Sequence, residues 1–526
     1  MSPYRYPSPP VPWRSQSGTP LDAAAGRWVL AASILGSSMA FIDGSVVSVA
    51  LPVLQSELGA AVSTAQWIVE AYALFLSSLV LVGGSLADRY GRRRIFVVGA
   101  CVFAAASLAC AVAPTAPALV AARALQGIGA ALLVPASLAL LGAAFSPEER
   151  GRAVGTWSAL TAVAMSIGPA LGGWLVQSLS WRAVFFVNLP LAAVVLWVSF
   201  AKVPESRNPD TGPLDLAGAI LATAGLGLLV FGLIEAPSVG WASPRSWGAI
   251  SAGAAGIAAF VFVEVRSKHP MVPVGLFHNR TFAAANLLTF FLYAPLAAFF
   301  FFLPFLLIQS RGYSPTAAGL SVLPLVLVVS AGSRMSGGVA DRIGPRLQLT
   351  IGPAVVGAGF ALFAVLPHRG AYAATVLPGI VVVGLGLAIT IAPLTTTILN
   401  SVDEEDQGAA SGINNAVARV AGLLAVAVFG IAAAGAFNRE LDRRLDAGRV
   451  SAKTRELFAP ERGRLGAARP PNGASPEEKR AIHEGIAAGL ERAFRDVGLI
   501  DAALALLAGA CGGLGIATES KARRRD

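Results

Sequence analysis

The chain has 526 residues, of which 55% are hydrophobic and 13% charged, and its net charge is +10. Soluble domains carry about 25% charged residues, so this composition excludes an ordinary water-soluble globular protein and indicates one that lives in a bilayer. In such a chain the basic excess serves membrane topology before anything else, and no nucleic-acid partner is expected.

Residues 1–26 are rich in Pro, Ser and Arg, and no cleavable signal precedes the first apolar span. They are expected to form a disordered cytoplasmic tail. Apolar runs of about 20 residues, the length that crosses a bilayer as a helix, then recur fourteen times. They lie near 28–52, 66–87, 95–113, 117–142, 153–177, 183–201, 214–235, 246–264, 281–309, 314–337, 347–366, 371–399, 408–436 and 497–516. Loops between them are short, apart from 437–496. The expected fold is an all-α integral membrane protein, because only a helix satisfies its own backbone hydrogen bonds in hydrocarbon.

Lys and Arg set the orientation. With the N-terminus in the cytoplasm, the two tails and the loops after even-numbered spans up to the twelfth carry 20 of the 40 basic residues, and the short loops on the other side carry 4. That bias predicts both termini inside. The segment 437–496 is then external; its 13 basic residues are offset by 10 acids, and loops of about 60 residues largely escape the charge rule. Within it Ser475-Pro-Glu-Glu478 reads as a capping box, and Ile482, Ile486, Leu490 and Phe494 predict a short amphipathic helix. This insert is read as an external cap with no chemistry assigned.

One phrase occurs twice. Gly84-Ser-Leu-Ala-Asp88-Arg89-Tyr-Gly91-Arg92-Arg93 ends span 2, and Gly337, Asp341, Arg342, Gly344 and Arg346 repeat it at the end of span 10, 253 residues later. Six spans need only about 175 residues, so two extra helices lie between the repeats, as expected for a transporter built from duplicated halves. The architecture reads as 6+2+6. The expected domains are an N-terminal six-helix bundle at 27–203, two linker helices at 204–268, and a C-terminal bundle at 269–526 that carries the insert 437–496.

The Gly84–Arg94 phrase resembles the signature loop of the major facilitator superfamily, in which the acid and arginines form a charge network with a neighbouring helix end and hold a cytoplasmic gate. Phe41-Ile-Asp43-Gly-Ser through Leu51-Pro52 resembles the first-helix motif of its fourteen-helix drug:proton antiporters. Arg123-Ala-Leu-Gln126-Gly127-Ile-Gly129 is similar to the motif whose arginine the family ties to proton coupling. Gly168-Pro169-Ala-Leu-Gly172-Gly173 resembles the antiporter motif characteristic of exporters, although Ala164 stands where an upstream glycine belongs. Trp181-Arg182 through Asn188-Leu-Pro190 resembles the start of the sixth helix, and Asn414, Asn415 and Arg419 resemble a late asparagine and arginine motif. The resemblance covers nearly all of the chain except the first 26 residues and the insert. It implies a major facilitator fold of two pseudo-symmetric six-helix bundles, small-molecule export driven by protons, membrane lipids as the surrounding partner, and function as a monomer in the plasma membrane.

Depth gives a separate reason to single out the same residues. At 1.5 Å per residue, Asp43 lies about 24 Å from the inner end of span 1, while Glu70 and Arg123 lie about 6 and 9 Å below the outer surface. Intramembrane charges are costly and line pathways or pair with one another. Asp43, Glu70 and Arg123 are therefore the candidate coupling and substrate residues, Asp43 first. Structural readings stay open: Asp43 as a bond to a neighbouring helix, Glu70 at a wet interface, Arg123 as a packing anchor, Gly168 to Gly173 as a close helix seam.

No enzyme activity is expected. The dipeptide Gly-Lys does not occur, so there is no phosphate-binding loop of the GxxxxGK type, and HExxH and GxSxG are absent as well. The three cysteines, Cys101, Cys110 and Cys511, lie in apolar runs without CxxC spacing, and neither metal nor cofactor is expected. The substrate reading is a range of amphipathic drugs or secondary metabolites, cations among them. The alternatives are a dedicated exporter of one natural product, amino acid or lipid-linked metabolite, and a membrane sensor that transports nothing.

Overall fold

The computed structural model describes residues 23–207, 214–239, 243–267, 270–366, 370–403, 406–448 and 450–516; the expectation for the N-terminal tail up to residue 22 lies outside them. Among the described residues fourteen helices are long and apolar enough to cross a membrane: α1 (Ala25–Glu57), α2 (Val62–Tyr90), α3 (Arg92–Ala111), α4 (Ala116–Ala144), α5 (Glu149–Ser178), α6 (Ala183–Lys202), α7 (Leu216–Pro237), α8 (Pro244–Arg266), α9 (Arg280–Ser310), α10 (Pro315–Ser333), α11 (Pro345–Val365), α12 (Leu377–Asn400), α13 (Gln407–Ala447) and α14 (Pro476–Gly515). This is the number and order of the apolar runs in the sequence. Helix continues beyond α10 as far as Ile343.

Local chemistry sets several boundaries. Thr115 accepts the Ala118 N–H, with Pro117 in the first turn of α4, and Asn279 accepts the N–H groups of Thr281 and Phe282 to start α9. Such caps satisfy donors that helical bonding leaves free. Gly91 and Gly344, at matching points of the two repeats, have φ of +113° and +82°. An L side chain rarely adopts that conformation, and both glycines mark a sharp stop followed at once by the next helix.

The insert departs from its expected form. Its amphipathic segment is continuous with the last span, so α14 starts at Pro476 and runs 40 residues. The Ser475 and Glu478 capping box is formed reciprocally. Ile482, Ile486, Leu490 and Phe494 are buried, and Gly485 and Gly489 bring α14 against Leu441 and Phe437 of an equally extended α13. Two mutually packed faces of period near four give the helices no reason to break at the membrane boundary. Between them lie a short α-helix, Ala452–Phe458, capped by Ser451, and a 3-10 segment, Ala459–Ala467.

Contacts divide the chain into two compact units: Met1–Ala50 with Trp67–Gly227 and Gly253–Pro273, and Leu51–Gln66 with Leu228–Ala252 and Val274–Asp526. In the first, small residues let helices approach closely. A side-chain carbon on Gly83 would lie 1.9 Å from the Ala131 carbonyl oxygen, and Gly99 and Gly129 fit against the backbones of Leu133 and Phe103. Phe96, Phe103, Leu133 and Leu140 fill the space between. In the second, Phe299 meets Phe360, Phe363 and Phe494 at centroid distances of 4.9 to 6.1 Å. Phe299 is thus part of the core of this unit. Leu51–Gln66 belongs here because Gln66 donates to the Val426 carbonyl at 2.7 Å and Gln55 to the Arg464 carbonyl at 2.9 Å.

Candidate functional site

Asp43 and Arg123 meet. The Arg123 Nη1 donates to Asp43 Oδ2 to form an ion pair between α1 and α4, and both side chains are buried, at 0% and 1% exposure. The carboxylate takes two further donors at its other oxygen, Gln126 Nε2 at 2.8 Å and Asn188 Nδ2 at 2.9 Å. Both amides also reach Ser107 Oγ, at 3.0 and 2.8 Å, so α1, α3, α4 and α6 share one polar knot.

The guanidinium is equally well held. Its Nε donates to the Ile68 carbonyl at 2.9 Å, Nη1 also reaches Gln126 Oε1 at 2.7 Å, and the Tyr72 ring stacks on it at 4.3 Å. A buried ion pair survives desolvation only when its remaining donors and acceptors are met in this way. One acceptor stands open: Asn188 Oδ1 has no partner among the described residues.

Helix α5 packs directly beside this knot. A side-chain carbon on Gly168 would lie 1.8 Å from Ser45 Oγ, and one on Gly172 would lie 2.7 Å from the Val46 carbonyl oxygen. The two glycines are one turn apart on one face, so α5 presses its backbone onto the turn of α1 that follows Asp43. Pro169 lies within the same turn and removes one backbone donor there.

Glu70 is buried on α2 but stays outside the knot: it makes no hydrogen bond or ion pair among the described residues, and its Oε2 is unpartnered. Of the three acids and bases singled out by depth, the structure joins two. In the other unit, Asn414 Nδ2 reaches Thr289 Oγ1 at 2.7 Å and Asn286 Oδ1 at 3.2 Å, while Asn415 turns to the Ser411 carbonyl on its own helix.

The first repeated loop forms a local charge network. Asp88 pairs with Arg92 at 2.8 Å. Glu205, beyond the end of α6, accepts the backbone N–H groups of Arg93 and Arg94 at 3.0 and 3.1 Å and so caps α3. Arg93 Nη1 in turn donates to the Val203 carbonyl at 3.1 Å. Arg89 is free of this network and lies over the Tyr90 ring at 5.7 Å, and Gly84 packs on Pro135. In the second copy Arg346 Nε donates to the Gly513 carbonyl at 2.7 Å. Arg93 and Arg346 thus each reach a carbonyl at the end of the last helix of their repeat. The side chains of Arg334, Asp341 and Arg342, and the surroundings of Gly337, lie outside what is described.

Four partners escaped the sequence reading. Gln126 and Asn188 stand inside the quoted motifs, yet neutral amides in an apolar run carry no charge signal; Ser107 is uncharged and outside every motif, and Glu205 is charged but lies beyond the apolar run, where an acid is unremarkable. A fifth residue was legible. Asp501 is an acid inside the fourteenth apolar run, is 1% exposed, and has neither oxygen partnered among the described residues.

Comparison with known proteins shows the family and the fold. The sequence model of the Major Facilitator Superfamily matches residues 33–426. The chain is 35% identical over 418 residues to the multidrug resistance protein Stp of Mycobacterium tuberculosis (strain CDC 1551 / Oshkosh), covering 79% of this chain and 78% of that one. It is 32% identical over 501 residues to the tetracenomycin C resistance and export protein of Streptomyces glaucescens, covering 93% of each. Among solved structures, a bacterial homologue of the human lysosomal transporter Spinster matches with a TM-score of 0.62 at 17% identity, over 95% of this chain and all of that one. The xylose transporter XylE of E. coli matches at 0.57 and 14%, over 94% and 97%. At those identities the structures speak for the fold alone. With the sequence model matched over most of its length and its helices in the major facilitator arrangement, the chain belongs to the major facilitator superfamily and is a multi-pass membrane transporter, not an enzyme.

Proposed function

We propose that this protein exports amphipathic drugs or secondary metabolites, lipophilic cations among them, in exchange for protons. It would work as a monomer in the plasma membrane with both termini cytoplasmic. Relatives named for multidrug resistance and for tetracenomycin C resistance and export support the export direction.

The buried Asp43 and Arg123 pair, pressed by the Gly168 to Gly172 turn of α5, carries the reading. A proton arriving on Asp43 neutralises the carboxylate and removes the attraction that ties α1 to α4. Arg123 then keeps the Ile68 carbonyl and Gln126. Because α5 rests on the next turn of α1, the change reaches the helix seam at once, and interiors packed this tightly have discrete arrangements, not graded ones. A cationic substrate favours the ionised carboxylate and a proton the neutral one, so each displaces the other. Alternating access follows from rocking of the bundle at 27–203 against that at 269–526, with 204–268 as the linker. The repeated loops, including Asp88, Arg89, Asp341 and Arg342, would latch one of the two states.

A dedicated exporter of one natural product is the second reading. It is favoured by the similarity, 32% over 93% of the chain, to a relative named for a single compound.

Ethidium uptake into inverted membrane vesicles energised by respiration tests the proposal. Uptake by the intact protein is expected to collapse with a protonophore and with Asp43→Asn. Full proton-driven uptake by Asp43→Asn would refute the role of Asp43. No ethidium uptake by a correctly inserted protein would favour the dedicated exporter, to be pursued with metabolites.

A further inference from the structure

A second pair of acids lies outside the transport knot, where the two linker helices meet. Asp215 precedes α7, and its Oδ1 accepts the Gly218 N–H at 2.7 Å. Glu264 lies in the last turn of α8, is 2% exposed, and its Oε2 accepts the Val272 N–H at 3.0 Å. Each acid thus spends one oxygen on a backbone amide. The remaining oxygens, Asp215 Oδ2 and Glu264 Oε1, have no partner among the described residues. They converge: a side-chain carbon built on Gly218 would lie 2.7 Å from each, so the two oxygens are no more than twice that distance apart. Glycine at 218 leaves the space in which they approach. Further along the same hairpin, Gly225 and Gly256 bring the backbones of α7 and α8 into contact, so the helices that carry the two acids are held close together.

We propose that Asp215 and Glu264 hold one proton between them, as an acid and carboxylate pair that fastens the start of α7 to the end of α8. Two ionised carboxylates at this separation repel with little water to screen them, whereas one proton between the two free oxygens converts repulsion into a hydrogen bond. A metal ion fits the surroundings less well. Calcium and magnesium take six or more oxygen ligands, two of the four carboxylate oxygens are already committed to backbone amides, and no third His, Cys, Asp or Glu joins the pair among the described residues. The groups facing the pair are the N–H donors of Gly218, Met271 and Val272. The nearest cation on α8, Arg266, stacks on Phe262 at 3.8 Å. This site is independent of the transport reading: it fixes the linker hairpin whatever the bundles carry.

The sign of the pH effect follows from linkage. A fold that retains a proton which the unfolded chain releases is stabilised below the point where the pair lets go, and loses that stability as pH rises through it. Thermal unfolding of the purified full-length protein in detergent, followed across pH for the wild type, Glu264→Gln and Gly218→Ala, tests this. The Gln amide can donate to Asp215 as the protonated acid does. The wild-type Tm is expected to fall with rising pH by about 2 °C or more relative to Glu264→Gln, which keeps the bond at every pH. Gly218→Ala, whose added carbon forces the oxygens apart, is expected to lie below the wild type at low pH and to converge on it at high pH. Infrared spectra add a direct readout: the carbonyl stretch of a protonated carboxyl present in the wild type should weaken in Glu264→Gln. Parallel pH curves for wild type and Glu264→Gln, or identical infrared spectra in that region, would overturn the proposal. So would a rise in wild-type Tm on adding calcium or magnesium that Glu264→Gln lacks, which would make the pair a metal site instead.

Discussion

Asn188 Nδ2 sits 2.9 Å from Asp43 Oδ1, joining residues 145 positions apart and completing a carboxylate with three side-chain donors. This bond links α6 to α1 at the charge on which transport is proposed to turn. A hydrogen bond to a charged group contributes about 1.5–3 kcal/mol. Asn188→Ala is therefore expected to lower proton-driven ethidium uptake about tenfold while leaving insertion and thermal stability closer to wild type than Asp43→Ala does. Vesicle uptake normalised to protein amount measures it, and unchanged uptake would remove Asn188 from the coupling site.

Gly172 allows α5 to touch α1. A side chain there meets the Val46 backbone at 2.7 Å, which cannot move without displacing α1, whereas a side chain at Gly142 meets nothing within 4 Å. Overpacking of this kind costs about 1–3 kcal/mol. Gly172→Val is expected to abolish uptake and lower Tm, with Gly142→Ala matching wild type in both; a transporting Gly172→Val would show that the seam tolerates separation.

Gly91 combines a φ of +113° with the Glu205 carboxylate 2.8 Å from the position of an added carbon. Gly91→Ala thus strains the backbone by about 1–3 kcal/mol and pushes away the acid that caps α3. Glu205→Ala removes the cap without the strain, at a cost of about 0.5–2 kcal/mol. Melting curves should rank wild type above Glu205→Ala and Glu205→Ala above Gly91→Ala. The reverse order would mean that the cap matters more than the turn.

Orientation is open to labelling. In a cysteine-free background, Gly473→Cys and Arg207→Cys place single thiols at exposed positions that the distribution of basic residues assigns to opposite sides. A membrane-impermeant maleimide is expected to label Gly473→Cys on intact cells and Arg207→Cys only after permeabilisation. The opposite pattern would invert the topology and place both termini outside.

The candidate site was partly legible, and the reason is charge. Asp43 and Arg123 stand out because an ionised group in a run of about 20 apolar residues is costly enough to demand a purpose, and counting helical rise put them at similar depth. The same arithmetic included Glu70, which the structure leaves apart, since depth along a helix says nothing about which way a side chain faces around it. Asp501 carries the same signal as Asp43, but a lone acid near the end of the chain had no motif around it to draw attention.

What the sequence by itself determined was the membrane class, the number and order of the spanning helices, and the position of the repeat. All of these follow from run length, the need to close backbone hydrogen bonds in hydrocarbon, and local turn chemistry at residues such as Gly91 and Gly344. Tertiary structure alone decided the partners. Gln126, Asn188 and Ser107 meet Asp43 only because α3, α4 and α6 pack around α1, Glu205 reaches the start of α3 from more than a hundred residues away, and Asp215 finds Glu264 only when α7 and α8 fold back on each other. Such pairings depend on helix rotation and crossing, which small residues permit through close backbone approach, and no periodicity along one helix records which residue of another it will meet.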